Sequence, residues 1–237
     1  MRVSEPSGAA GREAAESRLS GKVVLITGAG RGSGRLLAES LARGGAVVAA
    51  NDVTPVNVEP LVEEIRRAGG RAHVYVEDIA KKVAAQALVN RVEEELGRID
   101  VLIHHAAVEP HVPLLKMDEW DWHRTLDVNV TAAFLMMQST ARVMRAHGGG
   151  VILNVIGAPE QAQADHAAYD ACAGALVSLT RAAARELGPQ GIRVHALLHG
   201  HMPDASIDEG APPSLGAAAL RLCEAADLNG LVWEVEV

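Results

Sequence analysis

The chain has 237 residues, a formal net charge of −8, 49% hydrophobic residues and only 3% aromatic residues. This length suits one α/β domain, and an acidic balance without a basic stripe argues against nucleic acid and anionic membranes as partners. No apolar run approaches the roughly 18 residues that a transmembrane helix requires. The N-terminus lacks a hydrophobic signal core, and the two cysteines, Cys172 and Cys223, make no disulfide framework. We therefore expect a cytoplasmic protein.

The pattern along the chain predicts a flexible arm followed by strands that alternate with helices. Residues 1–18 are rich in Ala, Gly, Ser and Glu, which is typical of a mobile arm, and residues 19–237 are expected to form one domain. The predicted strands are residues 23–26, 46–51, 71–76, 101–105, 151–156, 192–198 and 231–235. The predicted helices are residues 35–43, 58–67, 81–96, 120–147, 166–187 and 215–225. This alternation predicts a Rossmann-type, doubly wound, mostly parallel seven-stranded sheet with helices on both faces.

A glycine-rich turn follows the first predicted strand. Gly28, Gly30, Gly32 and Gly34 stand between a continuous apolar run and a helical pattern. A strand, a glycine turn and a helix together direct backbone N–H groups and a helix N-terminus at a phosphate, and glycine allows a close approach because it has no Cβ. The turn predicts a pyrophosphate site, and the alternative is a tight strand–helix connection without a ligand.

Further motifs accompany the predicted strands. They are TGAGRGSG at 27–34, Asp78 after the third strand, RIDVLI at 98–103, DVNV at 127–130 and RELGPQGIRV at 185–194. Together these motifs resemble the short-chain dehydrogenase/reductase (SDR) family, whose members are NAD(P)-dependent oxidoreductases. The resemblance extends from Leu19 to the C-terminus.

The resemblance implies a nucleotide site at the carboxyl ends of the first four strands. The implied cofactor-binding positions are Gly28, Gly30, Arg31, Gly32, Ser33, Gly34, Asp52, Asp78, Ile79, His105 and Ala106. Asp52 ends the second strand, where a carboxylate can accept both ribose hydroxyls of NAD and would repel a 2′-phosphate; the alternative is a turn residue that leads into the next helix. Arg31 could instead attract a 2′-phosphate. We therefore expect NAD to be preferred over NADP, with Arg31 opposing that preference.

The implied reaction site departs from the family pattern. Tyr169 matches the family's catalytic tyrosine and Asn129 its catalytic-site asparagine, but the lysine position four residues after the tyrosine is Ala173. The serine position is Gly157, or Ile156 if the following loop is aligned one residue differently. An unperturbed tyrosine has a pKa near 10, so only about one in a thousand is ionised at pH 7. Without the family's lysine to lower that pKa, Tyr169 is predicted to be a poor base.

Other departures lie on the same side of the implied site. Ala107 stands where the family has glycine, His199 replaces the proline of its Pro-Gly pair, and Asp204 replaces a threonine that holds the carboxamide. The segment after Gly200 is short for the family, so the helical flap over the substrate is expected to be missing. The adenosine side therefore matches the family, while the nicotinamide side does not.

Histidines are frequent near the predicted strand ends. Those assigned to the carboxyl ends of strands four and six are His104, His105, His195, His199 and His201. We interpret them as polar side chains that satisfy strand ends. One alternative is that a histidine acts as a substitute acid/base for Tyr169, and His166 is a further candidate for this role. The other alternative is that the histidines form a metal cluster. No single element carries a typical ligand spacing, so no metal site is predicted. Surface positions are expected for His73, His111, His123 and His147.

The predicted helices 120–147 and 166–187 carry small and apolar residues suited to close packing, and the family uses these helices for assembly. We expect a homo-oligomer, or a hetero-oligomer with an SDR homologue. Three functions remain open: a nucleotide-binding subunit without catalysis, an atypical oxidoreductase that uses Tyr169 with Asn129 and a histidine on an alcohol or carbonyl substrate, and a packing partner without nucleotide. The sequence identifies no substrate.

Overall fold

The computed structural model describes residues 19–157, 164–200 and 213–235, and these residues form one parallel sheet covered by helices on both faces. The strands are β1 Val23–Thr27, β2 Val47–Asp52, β3 Arg71–Val76, β4 Val101–His104, β5 Gly150–Gly157, β6 Ile192–His199 and β7 Val232–Val235. Their order is β3-β2-β1-β4-β5-β6-β7, and all neighbouring strands are parallel. The predicted seven-stranded, doubly wound sheet is confirmed. The predicted arm, His201, Asp204 and the shortened segment lie outside the described residues.

Helices form a layer on each face of the sheet. They are α1 Gly32–Arg43, α2 Pro55–Arg67, α3 Lys82–Leu96, α4 Glu119–Leu126, α5 Ala132–Ala146, α6 Ala167–Leu187 and α7 Pro213–Glu224. Helices α1, α2 and α7 cover one face, and α3, α5 and α6 cover the other. Val24 and Ile26 of β1 belong to the first core and Val23 and Leu25 to the second, because successive side chains of a strand point to opposite faces. A strand buried on both faces therefore needs a continuous apolar run.

The predicted continuous helix over residues 120–147 is wrong in one respect. A π-helical turn, Asp127–Thr131, separates α4 from α5. It contains the buried Asn129, whose amide oxygen accepts from the Val108 N–H and whose amide nitrogen donates to the Val108 carbonyl, both at 2.8 Å. A π turn widens the helix locally and often marks a functional site, but the apolar spacing around it remains helical, so the sequence does not reveal it.

The strand order places one crevice at the edge where the strands end. The chain runs outward from β1 to β3 and then returns to β4 on the other side of β1, so the connections after β1 and β4 leave in opposite directions. Such a switch point opens the crevice in which doubly wound sheets bind ligands. Within the described ranges, no helix combines the length and apolar character needed to cross a bilayer.

Candidate functional site

The glycine turn joins β1 to α1 and packs against the segment that follows β4. Gly28 has a φ of +66°, and a Cβ on it would lie 2.7 Å from the Ala106 Cα. A Cβ on Gly34 would overlap the Gly28 carbonyl oxygen and lie 2.7 Å from His105 Nδ1. Glycine is therefore required at both positions by the packing of the protein itself.

Helix α1 presents its N-terminus to an open cleft. Its N-cap residue, Arg31, makes no side-chain capping hydrogen bond, and the first N–H groups of a helix carry partial positive charge. Arg31, Gly32 and Ser33 line a cleft of about 630 Å³ together with Tyr169, which we call the Tyr169 cleft. The arrangement can accept an anionic phosphate group.

A second, adjoining cleft of about 560 Å³ lies beside the end of β2, and we call it the Asp52 cleft. The Asp52 carboxylate accepts from the Gly30 N–H at 3.0 Å and from the Val53 N–H at 2.7 Å, so backbone donors orient it. Asp78 is paired with Lys81 at 3.1 Å on the same wall. An oriented carboxylate in a cleft of this size suits the ribose of an adenosine.

The structure brings the predicted cofactor positions together. Gly28, Arg31, Asp52, Asp78, Ile79, His105 and Ala106 line the Asp52 cleft, and Arg31, Gly32, Ser33 and His105 line the Tyr169 cleft. Gly30 contacts Asp52 through its backbone, and Gly34 lies against Gly28 and His105. The two clefts adjoin at Arg31 and His105, so one extended molecule could occupy both. The residues present fit the adenosine and pyrophosphate of a dinucleotide, and binding by each of them stays a prediction.

Tyr169, near the start of α6, is buried and bonded to the backbone of β5. Its hydroxyl donates to the Gly157 carbonyl oxygen at 3.0 Å. A Cβ on Gly157 would lie 2.9 Å from that hydroxyl, whereas Ile156 is buried in an apolar cluster. Gly157 is therefore the residue beside the phenol, and its assignment to the family's serine position stays a prediction. Burial, and after it the charge of Glu109, raise the pKa of Tyr169 above its ordinary value.

Ala173 lies one helical turn after Tyr169, and it is the residue that the family resemblance assigns to the lysine position. It packs against a small apolar cluster that contains Ile156 and Leu176. Among the described residues that line the Tyr169 cleft there is no lysine, and the arginines there are Arg31 and Arg124. An un-ionised phenol without a neighbouring ammonium is a poor base at neutral pH.

Asn129 is engaged in a structural contact. The two hydrogen bonds to the Val108 backbone use both its amide oxygen and its amide nitrogen, and they hold the segment after β4 against the π turn. The amide oxygen and nitrogen could bind a ligand only by sharing or breaking one of these hydrogen bonds. Its catalytic role stays a prediction.

His104 and His105 end β4 as neutral side chains. His104 Nδ1 lies 3.1 Å from the Thr27 hydroxyl, and burial, and after it the charge of His105, lower the pKa of His104 to about 3. The His105 ring stacks on His199 with centroids 6.5 Å apart and lies 3.2 Å from the Gly28 carbonyl oxygen. Burial, and after it the charge of His199, lower the pKa of His105 to about 4. Both rings are therefore uncharged at pH 7.

The placement of His195 at a strand end is wrong. This residue lies in the middle of β6, opposite Leu153 of β5, and is fully buried. Burial, and after it the charge of Arg193, lower the pKa of His195 to about 4. A fully buried histidine in the middle of a strand belongs to the core, so His195 lies away from the edge where ligands bind.

One histidine cluster was missed by sequence reasoning. His166 Nε2 lies 2.7 Å from His111 Nδ1, although the two residues are 55 positions apart. Glu109 completes the group, with Oε1 at 3.7 Å from His166 Nδ1. His111 is exposed, as predicted. Because His111 and His166 are 55 positions apart, no local sequence pattern indicates the cluster.

Comparison with known proteins places this geometry in a family. The short chain dehydrogenase family model matches residues 22–208. The chain is 37% identical over 187 residues to the short-chain reductase protein NovJ of Streptomyces niveus, which covers 79% of this chain and 71% of NovJ. A short-chain type dehydrogenase/reductase from Mycobacterium marinum has a TM-score of 0.86 at 28% identity, with 93% and 96% of the chains covered. A Beutenbergia cavernae protein solved with NADP at low occupancy has a TM-score of 0.85 at 30% identity, with 94% and 98% covered. The chain therefore belongs to the short-chain dehydrogenase/reductase family, whose members bind NAD(P).

Proposed function

We propose that this protein binds a nicotinamide dinucleotide but has lost lysine-assisted proton transfer, and that it acts as a non-catalytic or regulatory subunit of an oligomer. The observation that carries the proposal is the environment of Tyr169. Its hydroxyl donates to the Gly157 carbonyl, and Ala173 packs among apolar side chains where a lysine would provide charge.

The physical argument concerns the proton that accompanies hydride transfer. Oxidation of an alcohol by NAD requires a base for the hydroxyl proton, and general acid–base catalysis contributes about 10²–10⁴-fold to a rate. A phenol whose pKa is raised is almost entirely protonated at pH 7. The missing hydroxyl at Gly157 removes a group that would orient the substrate oxygen. We expect the remaining turnover to be lower than that of an intact site by at least this factor.

We propose NAD as the preferred dinucleotide. The Asp52 carboxylate is oriented by the Gly30 and Val53 N–H groups, which supports hydrogen bonding to ribose hydroxyls and repulsion of a 2′-phosphate. Arg31 lines the same cleft and acts in the opposite direction, so the preference is moderate.

We propose assembly through α5 and α6, with a second copy or an SDR homologue. A groove of about 290 Å³ runs between these helices and is lined by Phe134, Met137, Leu179 and Leu187 together with arginine and glutamate side chains. Phe134 is 44% exposed in the single chain, and burial of this ring would favour association. A cytoplasmic location stays a prediction.

The decisive experiment combines nucleotide titration with reconstruction of the missing groups. Calorimetry of the tag-free protein with NAD should show binding, while a panel of alcohols and ketones should show no turnover. The double variant Gly157→Ser/Ala173→Lys should raise turnover by at least about 100-fold. The added serine Cβ would lie 2.9 Å from the Tyr169 hydroxyl oxygen, and a small shift of the ring would relieve this close contact.

A matched control places the lysine on the same helix but facing solvent. Ala171 is exposed in α6, so Gly157→Ser/Ala171→Lys should gain no turnover. Hydride transfer by the unmodified protein that Tyr169→Phe abolishes would overturn the proposal. Failure to bind NAD would instead indicate a packing partner without nucleotide.

A second candidate is an active but atypical oxidoreductase that uses Tyr169 with Asn129 and a histidine. The observation in its favour is that His166 lies one helical turn before Tyr169 and bonds to His111 beside the Tyr169 cleft. This candidate predicts turnover by the unmodified protein, with a pH–rate limb near pH 6–7. It also predicts that His166→Ala, His105→Ala or His199→Ala lowers the rate; three variants with unchanged kinetics would exclude it.

A further inference from the structure

Three potential metal ligands meet at the wall of the Tyr169 cleft. Glu109 and His111 lie in the segment after β4, and His166 immediately precedes α6. His166 Nε2 is 2.7 Å from His111 Nδ1, and His166 Nδ1 is 3.7 Å from Glu109 Oε1. One ligand atom from each side chain lies within 4.8 Å of those of the other two. A single ion could therefore contact all three side chains.

His166 is the buried member of this group. Its side chain is 1% exposed, and its Nδ1 has no hydrogen-bond partner among the described residues. A buried polar atom without a hydrogen-bond partner is unfavourable, because it has lost its contacts with water. Imidazole nitrogen and carboxylate oxygen are common zinc ligands, so a bound ion would compensate this nitrogen directly or through rotation of the ring.

The backbone already holds the two segments together. The Val112 N–H donates to the Asp165 carbonyl at 3.0 Å, one residue from His111 on one side and from His166 on the other. A tetrahedral zinc ion with bonds of about 2.0–2.1 Å separates its ligands by about 3.3 Å. The 2.7 Å separation involves His166 Nε2 and the 3.7 Å separation involves His166 Nδ1, and one ion binds only one of these two nitrogens. One ligand atom from each side chain already lies within 4.8 Å of the others, so side-chain rotations that bring these atoms to about 3.3 Å would complete the site.

We propose that Glu109, His111 and His166 bind one divalent transition-metal ion of the Zn²⁺ type. Glu109 and His111 line the Tyr169 cleft, so the fourth coordination position faces that cleft. Three protein ligands with one open position are typical of catalytic zinc sites. The open position would take an oxygen atom of a small molecule, from a carbonyl, hydroxyl or carboxylate group. Metal binding is independent of the proposed nucleotide function.

The test is metal titration of tag-free protein freed of metal by a chelator. Co²⁺ should bind with one equivalent and give the intense visible absorption of a four-coordinate ion, and Zn²⁺ should displace it. His111→Ala and Glu109→Gln should each weaken Zn²⁺ binding by about 100-fold, because loss of a direct ligand costs at least as much as the loss of an outer partner. His111 is exposed, but its removal also deletes the contact with the buried His166 Nε2, so the unfolding temperature of each variant is measured to separate loss of the ligand from loss of the fold.

His147 provides the matched control. It is an exposed histidine whose Nε2 lies 3.3 Å from the Glu93 carboxylate, so it forms a similar pair at a distant surface. His147→Ala should bind Zn²⁺ as tightly as the unmodified protein. The proposal is overturned if the unmodified protein binds no stoichiometric Zn²⁺, or if His111→Ala and Glu109→Gln bind it equally well. A second readout is His166→Ala, which should also lose the Co²⁺ absorption if it folds.

Discussion

The Asp52 cleft and the Tyr169 cleft adjoin, but they depend on different parts of the chain. In the Asp52 cleft, backbone groups dominate: the Gly28 turn packs on the Ala106 backbone, and the Gly30 and Val53 N–H groups orient the carboxylate. At the Tyr169 cleft, the phenol of the implied reaction site bonds to nearby backbone, because Tyr169 donates to the Gly157 carbonyl. Asn129, which lies beside Tyr169, is likewise bonded to the Val108 backbone.

Under the proposed function, this difference is the reason that nucleotide binding and proton transfer can separate within one fold. A cradle built from backbone requires the turn, and the turn is part of the core packing, so its loss would damage the fold. The hydroxyl and ammonium of a proton relay support little of the fold. Gly157 and Ala173 can therefore stand in their places while β5 and α6 remain intact.

The largest effect is expected from Gly34→Ala. The added Cβ would overlap the Gly28 carbonyl oxygen, and overpacking of this kind costs about 1–3 kcal/mol or more. We expect NAD affinity to fall at least about tenfold together with the free energy of unfolding, measured by calorimetry and urea denaturation. Gly174→Ala is the control, because a Cβ there meets nothing within 4 Å and should stabilise α6 by up to about 1 kcal/mol. Unchanged NAD binding in a destabilised Gly34→Ala protein would contradict a phosphate site at this turn.

A smaller effect is expected from Asp52→Asn, which removes the charge while retaining the size. Hydrogen bonds to a charged group contribute about 1.5–3 kcal/mol, so NAD affinity should fall by about tenfold or more. NADP affinity should rise, because the repulsion of the 2′-phosphate is removed. Calorimetric titrations with both dinucleotides measure the two changes. Equal NAD and NADP affinities in both proteins would show that Asp52 does not contact the ribose.

Acid should destabilise the protein through His104, which ends β4, and His105, which follows it. The pKa values of His104 and His105 are lowered to about 3 and about 4, so at pH 5 the unfolded chain binds protons that the folded chain does not. The free energy of unfolding should therefore fall as pH decreases from about 6.5 towards 4, by about 1–2 kcal/mol per ring at pH 5. Urea denaturation between pH 5 and pH 8 measures the slope, and His105→Asn should reduce it. An unchanged slope would show that folding does not lower the pKa of His105.

The smallest effect is expected from Tyr169→Phe. The variant removes one hydrogen bond to the Gly157 carbonyl and should cost about 1 kcal/mol of stability. NAD affinity should change less than about twofold, because the phenol is already engaged with the protein. A tenfold loss of NAD affinity would instead place the hydroxyl in contact with the dinucleotide, and would make the two clefts one functional unit.

Local sequence patterns predicted most of the fold. The apolar run at residues 23–26 could be assigned to a doubly buried strand, and the glycines at 28–34 to a strand–helix turn, because both depend on neighbouring residues. The parallel pairing of the strands followed from the alternation of strands and helices, whereas the strand order came from the structure. The π turn at Asp127–Thr131 could not be predicted, because it accompanies the Asn129 contact with Val108.

The sequence by itself predicted the Rossmann-type architecture and the family, and both are confirmed, while the replacement of lysine and serine at Ala173 and Gly157 stays a prediction. Those features depend on residue order and on local backbone preference. Only the tertiary structure decided that Tyr169 bonds to Gly157, that His195 lies inside the core, and that His166 meets Glu109 and His111. Such contacts join segments far apart in the chain, and packing of the whole domain sets their distances.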